Sequence, residues 1–147
     1  MAKVTLCFSK SRSLGSALIR WFSWGSYSHV DFVTQDGRLL GARMFGGVKV
    51  RSYDSLHGSP REHLSFEVPS QGEADAILKS AFDKVGQPYD WVGIIAMPFR
   101  SSWQHRSKVF CSEYVAQHCR ARGVVLQARV ADHRLTPRDL RMSPLLN

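Results

Sequence analysis

Five short extended stretches crowd the first half of this chain, and they limit its fold more than any other feature. They are "VTLCFS" (4–9), "HVDFV" (29–33), "LLGARMF" (39–45), "VKVRSY" (48–53) and "HLSFEV" (63–68). Each is rich in β-branched or aromatic residues, and turn chemistry separates them, including "DGR" at 36–38 and Gly46-Gly47. Strands so close in sequence favour an antiparallel sheet. In "HVDFV" the period of two places His29, Asp31 and Val33 on one face.

Helical signals dominate the rest. "SRSLGSALIRWF" sets Leu14, Ala17, Leu18, Trp21 and Phe22 at helical spacing, and "SWGSYS" breaks it. Ser70 and Glu73 form an S-x-x-E capping box, with Ile77, Leu78, Ala81, Phe82 and Val85 on one face and Gly86 and Pro88 as the stop. "YDWVGIIAMPF" is apolar nearly all round, a buried helix or turn ended by Pro98. "CSEYVAQHCRAR" predicts a helix with Cys111, Val115, His118, Cys119 and Arg122 along one side and Gly123 at its end. "LTPRDL" opens a short helical turn with Thr-Pro. With no repeat and no low-complexity linker, the 147 residues read as one α+β domain spanning 1–147.

Composition narrows the function. Apolar residues are 44% and charged residues 22%, as in an ordinary globular protein, which excludes disorder and coiled coil. No window holds the roughly 20 apolar residues of a membrane span. "MAKVTLCFSKSRSL" lacks the apolar core and cleavage site of a secretory signal. The expectation is a cytoplasmic protein with free thiols, released, if at all, by lysis or phage-borne delivery. Three scattered cysteines, Cys7, Cys111 and Cys119, make no disulfide framework, and no C-x-x-C pair offers a structural zinc site. The net charge is +8, and from Phe99 onward nine Arg and Lys stand against three acids. A basic face suits an anionic substrate or a polyanion. No helix-turn-helix, zinc-finger or RNP signature supports nucleic acid. Oligomeric state is not legible.

The candidate chemistry centres on "VFCSEYVAQHCR" (109–120), where an extended run becomes a helix at Cys111. Orphan N–H groups and the dipole at a helix N-terminus favour a thiolate. Six histidines are available as its base: His29, His57, His63, His105, His118 and His133. His57 and His133 lie in polar segments and read as surface residues. His118 is two turns along the same helix, too far to take the proton. His63 and His105 stay open on sequence logic. His29 sits on a strand, the rigid support a thiol–imidazole pair needs, although a lone histidine there is more often structural.

Four segments in order change that weighting: "YSHVDFV", "GQPYDW", "FCSEYV" and "LTPRDL", together spanning 27–140. They resemble the histidine strand, the Gly-x-Pro-Tyr-Asp element, the nucleophile helix and the closing Thr-Pro-x-Asp-Leu of the NlpC-type superfamily of papain-like cysteine peptidases. The histidine precedes the cysteine, as in the circularly permuted, YiiX-like branch related to lecithin–retinol acyltransferases. The resemblance implies an antiparallel sheet packed against helices, with the nucleophile at a helix N-terminus. It implies Cys111 as nucleophile and His29 as base and then acid, with backbone N–H groups of the Cys111 helix on the oxyanion. It implies no metal and no cofactor. Tyr89 matches a family tyrosine near the reactive centre, where it would contact oxyanion or substrate; a core tyrosine beside Pro88 is the equal alternative.

One position departs from the family. Permuted relatives carry Glu-Ala on the next strand, the acid orienting the imidazole, whereas this chain has Gly41-Ala42. Asp31 is the nearest substitute, about 6–7 Å away at the backbone by strand rise; a carbonyl, a water or another polar residue are the other sources. Glu113 suits the positive helix end rather than catalysis, and Cys7 and Cys119 read as packing. Trp21, Phe22, Trp24 and Tyr27 read mainly as core, with Trp24 and Tyr27 as the two that could line a groove.

The expected function is therefore a thiol hydrolase cleaving an amide bond in a peptide or peptidoglycan stem peptide. A lipid acyltransferase or thioesterase ranks lower, because Phe110 and Glu113 stand where lecithin–retinol relatives carry Asn and His. A degenerate binding or assembly protein, in a phage or toxin-delivery setting, is the reading that Gly41 favours.

Overall fold

The structure, a computed structural model, describes residues 1–10, 26–43, 46–88 and 111–147, without the side chain of His133. The expected helices in "SRSLGSALIRWF" and "YDWVGIIAMPF" lie outside the described residues, as do Trp24, Tyr89 and His105.

All five expected strands form: β1 (Ala2–Ser9), β2 (His29–Val33), β3 (Leu39–Arg43), β4 (Gly47–Arg51) and β5 (Arg61–Val68). They make one antiparallel sheet in the order β4-β3-β2-β1-β5. β1 and β5 run longer than their sequence patterns because each supplies a partner for the whole of the other, from Ala2↔Val68 to Ser9↔Arg61. β4 ends before Ser52-Tyr53, since the Ser52 side chain accepts from the Asp54 N–H and starts a 3-10 turn over Tyr53–Leu56. The β2–β3 hairpin closes at Asp36-Gly37, where Gly37 has φ 77° and the Thr34 N–H donates to the Arg38 carbonyl at 2.8 Å.

The even-numbered strand residues build the main core: Val4, Leu6 and Phe8, Val30 and Phe32, Leu40 and Ala42, Phe66 and Val68. Each large side chain withdrawn there stabilises the fold by about 1.5–3 kcal/mol. On them pack helices α1 (Gln71–Phe82) and α2 (Cys111–Arg120), with a short α3 (Pro137–Arg141) against α2. The opposite face has a smaller cluster of Cys7, Leu39 and Leu56.

α1 begins at Ser70, whose hydroxyl accepts from the Glu73 N–H at 3.3 Å. Its buried stripe is Ala74, Ile77 and Ala81. Phe82 and Val85, expected on that stripe, are instead 50% and 46% exposed. The helix stops at Phe82, and the chain turns away through Gly86, whose N–H donates to the Val48 carbonyl at 2.8 Å. α3 carries a full capping box between Thr136 and Asp139.

Both sheet edges receive backbone bonds, which blunts them against foreign strands. Asn147 exchanges two with Ser65 on β5, and the Val48 N–H of β4 donates to the Gln87 carbonyl at 2.8 Å. The latter contact depends on Gly47, where φ is +65° and an added Cβ would lie 2.0 Å from the Gln87 oxygen. Gly47→Ala is therefore expected to destabilise the fold by about 2 kcal/mol or more, read as a lower denaturation midpoint in urea. A midpoint equal to wild type would refute this close approach.

Candidate functional site

β2 sets the first two residues of the site. His29, its first residue, is 7% exposed, and Asp31 is fully buried. Being two apart on a strand they project to one side, and the backbone separation closes through the side chains: His29 Nε2 lies 3.0 Å from Asp31 Oδ1. The second carboxylate oxygen accepts from Arg51 Nη2 at 2.6 Å, and Arg51 Nη1 donates to Ser55 Oγ at 2.8 Å. An imidazole, a carboxylate and a guanidinium thus form one chain from three places in the sequence.

Gly41 takes on a different meaning here. In the β2–β3 register Phe32 faces Leu40, so Asp31 falls opposite Gly41. A Cβ at Gly41 would lie 2.2 Å from Asp31 Oδ1. The glycine read as the loss of an acid is the space that Asp31 fills from the neighbouring strand. The hairpin is centred on Asp36, with the Thr34 N–H bonded to the Arg38 carbonyl, and that register brings 31 opposite 41.

The third residue comes from α2. Cys111 opens the helix, is 2% exposed, and sits close enough to the His29 ring to help raise its pKa. With Nε2 held by Asp31, Nδ1 is the ring nitrogen left for the sulfur. The helix is anchored on several sides: Ser112 Oγ donates to the Leu135 carbonyl and Tyr114 OH to the Ala81 carbonyl. Tyr114 also meets Phe32 edge-on at 6.1 Å. Six consecutive residues from Cys111 to Ala116 are buried, so the helix is covered nearly all round rather than along the one stripe its spacing suggested. Arg122, expected on that stripe, is exposed and 3.5 Å from Glu73. Past the helix, the Gly123 N–H donates to the Arg120 carbonyl and the Val124 N–H to that of Cys119, a Schellman ending that needs the positive φ of Gly123.

Charge follows from this packing. Burial alone would depress His29, but the Asp31 carboxylate, the Cys111 sulfur and hydrogen bonds to both raise its pKa from 6.5 to about 9. Burial would raise Asp31, yet His29, Arg51 and Arg43 together hold it below the usual carboxylate range. Cys7, opposite Asp31 across β1–β2, is pushed up to about 11 by burial and by the Asp31 charge, against Arg61 and Arg51. Burial pushes the Cys119 thiol up as well.

The other candidates fall elsewhere. His118 is held by Ser80 Oγ at 3.0 Å and by the Tyr114 ring, and burial lowers its pKa to about 4. His63 is exposed, stacked on Tyr53 with its Nε2 2.9 Å from the phenol oxygen, and His57 is exposed in its turn. Glu113 is buried in the first turn of α2 and accepts from Gln117 Nε2 at 2.9 Å. Tyr27 packs toward Phe8 at 6.3 Å beneath the Arg141 guanidinium. The C-terminal basic residues are partly neutralised, Arg120 by Asp132 at 2.8 Å and Arg141 by Glu62 at 2.5 Å. Arg51, which sequence reading passed over, is the fourth member of the site.

No family model matches the sequence, and no curated protein matches it. Among solved structures, the chain is similar to the crystal structure of the metalloprotein YiiX from Escherichia coli O157:H7. The TM-score is 0.69 at 18% sequence identity, over 97% of this chain and 93% of that one. The fold is therefore mixed α+β and YiiX-like. Among the described residues, no helix is long and apolar enough to cross a membrane.

Proposed function

We propose that this protein is a thiol hydrolase of the permuted papain-like, NlpC type, cleaving an amide bond in a peptide or peptidoglycan stem peptide. The observation that carries this reading is the continuous chain Cys111–His29–Asp31, with the sulfur at the start of a helix. Fold likeness carries no activity by itself.

In this mechanism the Cys111 thiolate attacks the carbonyl carbon, and N–H groups at the start of α2 receive the oxyanion. The C–N bond breaks as the His29 imidazolium gives its proton to the leaving amine, and a thioester remains. Water, deprotonated by His29, attacks the thioester; the acid departs and the thiol takes back the proton. Asp31 keeps the ring oriented and its charged form stable. The degenerate reading drew on the empty place at Gly41, and the Asp31 carboxylate lying there on the His29 ring favours the active reading over it.

YiiX is described as a metalloprotein, and a metal needs at least three protein donors in ordinary zinc sites. Among the described residues, no group of three or more His, Cys, Asp or Glu side chains could hold one, and His29 Nε2 is already committed to Asp31. These donors do not fit a metal centre, and no step is routed through one.

Two measurements test the proposal. Iodoacetamide near pH 7 is expected to label Cys111, which sits beside the His29 ring at a helix start, and to spare Cys7 and Cys119, whose thiols are held protonated. Digestion of purified peptidoglycan fragments or short peptides is expected to leave an acyl adduct on Cys111 by intact-mass analysis. The rate should fall as pH rises through about 9, where His29 loses the proton its leaving group needs. The sign is the same for stability: the raised His29 contributes fully below pH 6.5 and less as pH passes 9. Equal labelling of all three cysteines, with no adduct on any substrate, would sink the hydrolase.

A further inference from the structure

Arg51 stands two strands away from the residue it serves. It is the last residue of β4 and pairs with Leu39 on β3, while Asp31 lies on β2. The next β3 position on the same face is Gly41, so no side chain blocks the diagonal path. The guanidinium crosses there to reach Asp31 Oδ2 at 2.6 Å, with its side chain only 10% exposed. Its Nε is buried and has no hydrogen-bond partner among the described residues. A buried cation with an unused donor is a poor device for stability, since the desolvation it suffers is only partly offset. Its two placed bonds, to Asp31 and Ser55, instead hold one carboxylate in one orientation.

We propose that Arg51 is a positioning residue for the thiol chemistry, reaching through the gap at Gly41 to fix Asp31 against His29. The assignment rests on the thiol-hydrolase reading and adds to it a residue from a second strand, β4. Arg51 acts through Asp31 and touches neither sulfur nor substrate. Among the described residues, the other charged or titratable groups that bear on the pair are Arg43 from β3, Cys7 from β1, and Cys111 and Tyr114 from α2. Of the cations among them, Arg51 is the one bonded to the Asp31 carboxylate.

The test compares Arg51→Met, Arg51→Gln and Arg51→Lys with wild type, each checked for folding by circular dichroism. Arg51→Met is expected to lower kcat roughly tenfold with KM little changed, the scale on which outer partners of an oriented imidazole act. It should also move the acid limb of the pH–rate profile to higher pH, because Asp31 then protonates sooner. Arg51→Lys should return the limb toward wild type. The Asp31 carboxyl titration, followed by carbon-13 NMR, should shift in the same direction and needs no turnover. If Arg51→Met fails to fold, Arg51→Gln is read in its place with the same expectations. An unmoved limb and an unmoved Asp31 midpoint overturn the assignment, since a purely structural arginine lowers the whole profile without displacing it. Wild-type protein that turns over nothing condemns the hydrolase reading instead, and the NMR midpoint keeps the two failures apart.

Discussion

Cys111→Ala is expected to reduce turnover by roughly a millionfold, the scale on which an acyl-transfer nucleophile acts, while the fold survives. The reason is chemical: no other group at this place can form the thioester, and a methyl cannot replace sulfur. The structural cost is small by comparison. Cys111 is 2% exposed at the edge of the core, and losing one sulfur atom there costs about 1 kcal/mol of stability. Cys119→Ala is the matched control, since Cys119 is fully buried in the same helix, more than two turns beyond Cys111. It should lose a similar amount of stability and keep its rate. Denaturation midpoints and initial rates on the same preparations separate the two effects. Equal rates for Cys111→Ala and wild type would remove the thiol from the reaction.

The second large effect concerns the acid. Asp31→Asn is expected to lower the rate by about 10²–10⁴-fold, as losing the carboxylate behind a catalytic imidazole does elsewhere. It also leaves Arg51 buried without its counter-charge, at a stability cost of about 3 kcal/mol. Gly41→Ala should act in the same direction without removing any polar group, because its Cβ would lie 2.2 Å from Asp31 Oδ1 and force the carboxylate aside. A sharper form exchanges the strands. Asp31→Gly combined with Gly41→Glu would present an acid from β3, and it should be more active than Asp31→Gly alone. If the double variant is no better and Gly41→Ala is silent, Asp31 does not orient His29 from this place.

Most of the sheet was legible because alternation and turn chemistry are local. β2 runs over His29–Val33 as its pattern predicts, and the other strands begin or end within a few residues of theirs. Where ends moved, a partner or a local cap moved them: β1 lengthened β5, and Ser52 cut β4 short. The helix beginning at Cys111 was also readable, from an apolar run, a following Ser-Glu pair and a closing glycine. Its degree of burial was not, because spacing along one helix says nothing about how many neighbours will cover it. Phe82 and Val85 show the same limit: both match the stripe, and both are exposed because the chain leaves the helix toward β4 before their side of it is covered.

The amino-acid sequence alone determined the strands, the hairpin at Asp36-Gly37, the helix with a cysteine at its head, and a histidine at the start of a strand. Each depends on residues close together in the chain, whose backbone preferences and polarity act without knowledge of the rest. Only tertiary structure decided that the Asp31 carboxylate bonds the His29 ring, that Gly41 leaves the room it occupies, and that Arg51 reaches across β3 to meet it. Those outcomes depend on which side chains meet across paired strands, and a distance of 2 or 3 Å between such atoms is set by register and packing.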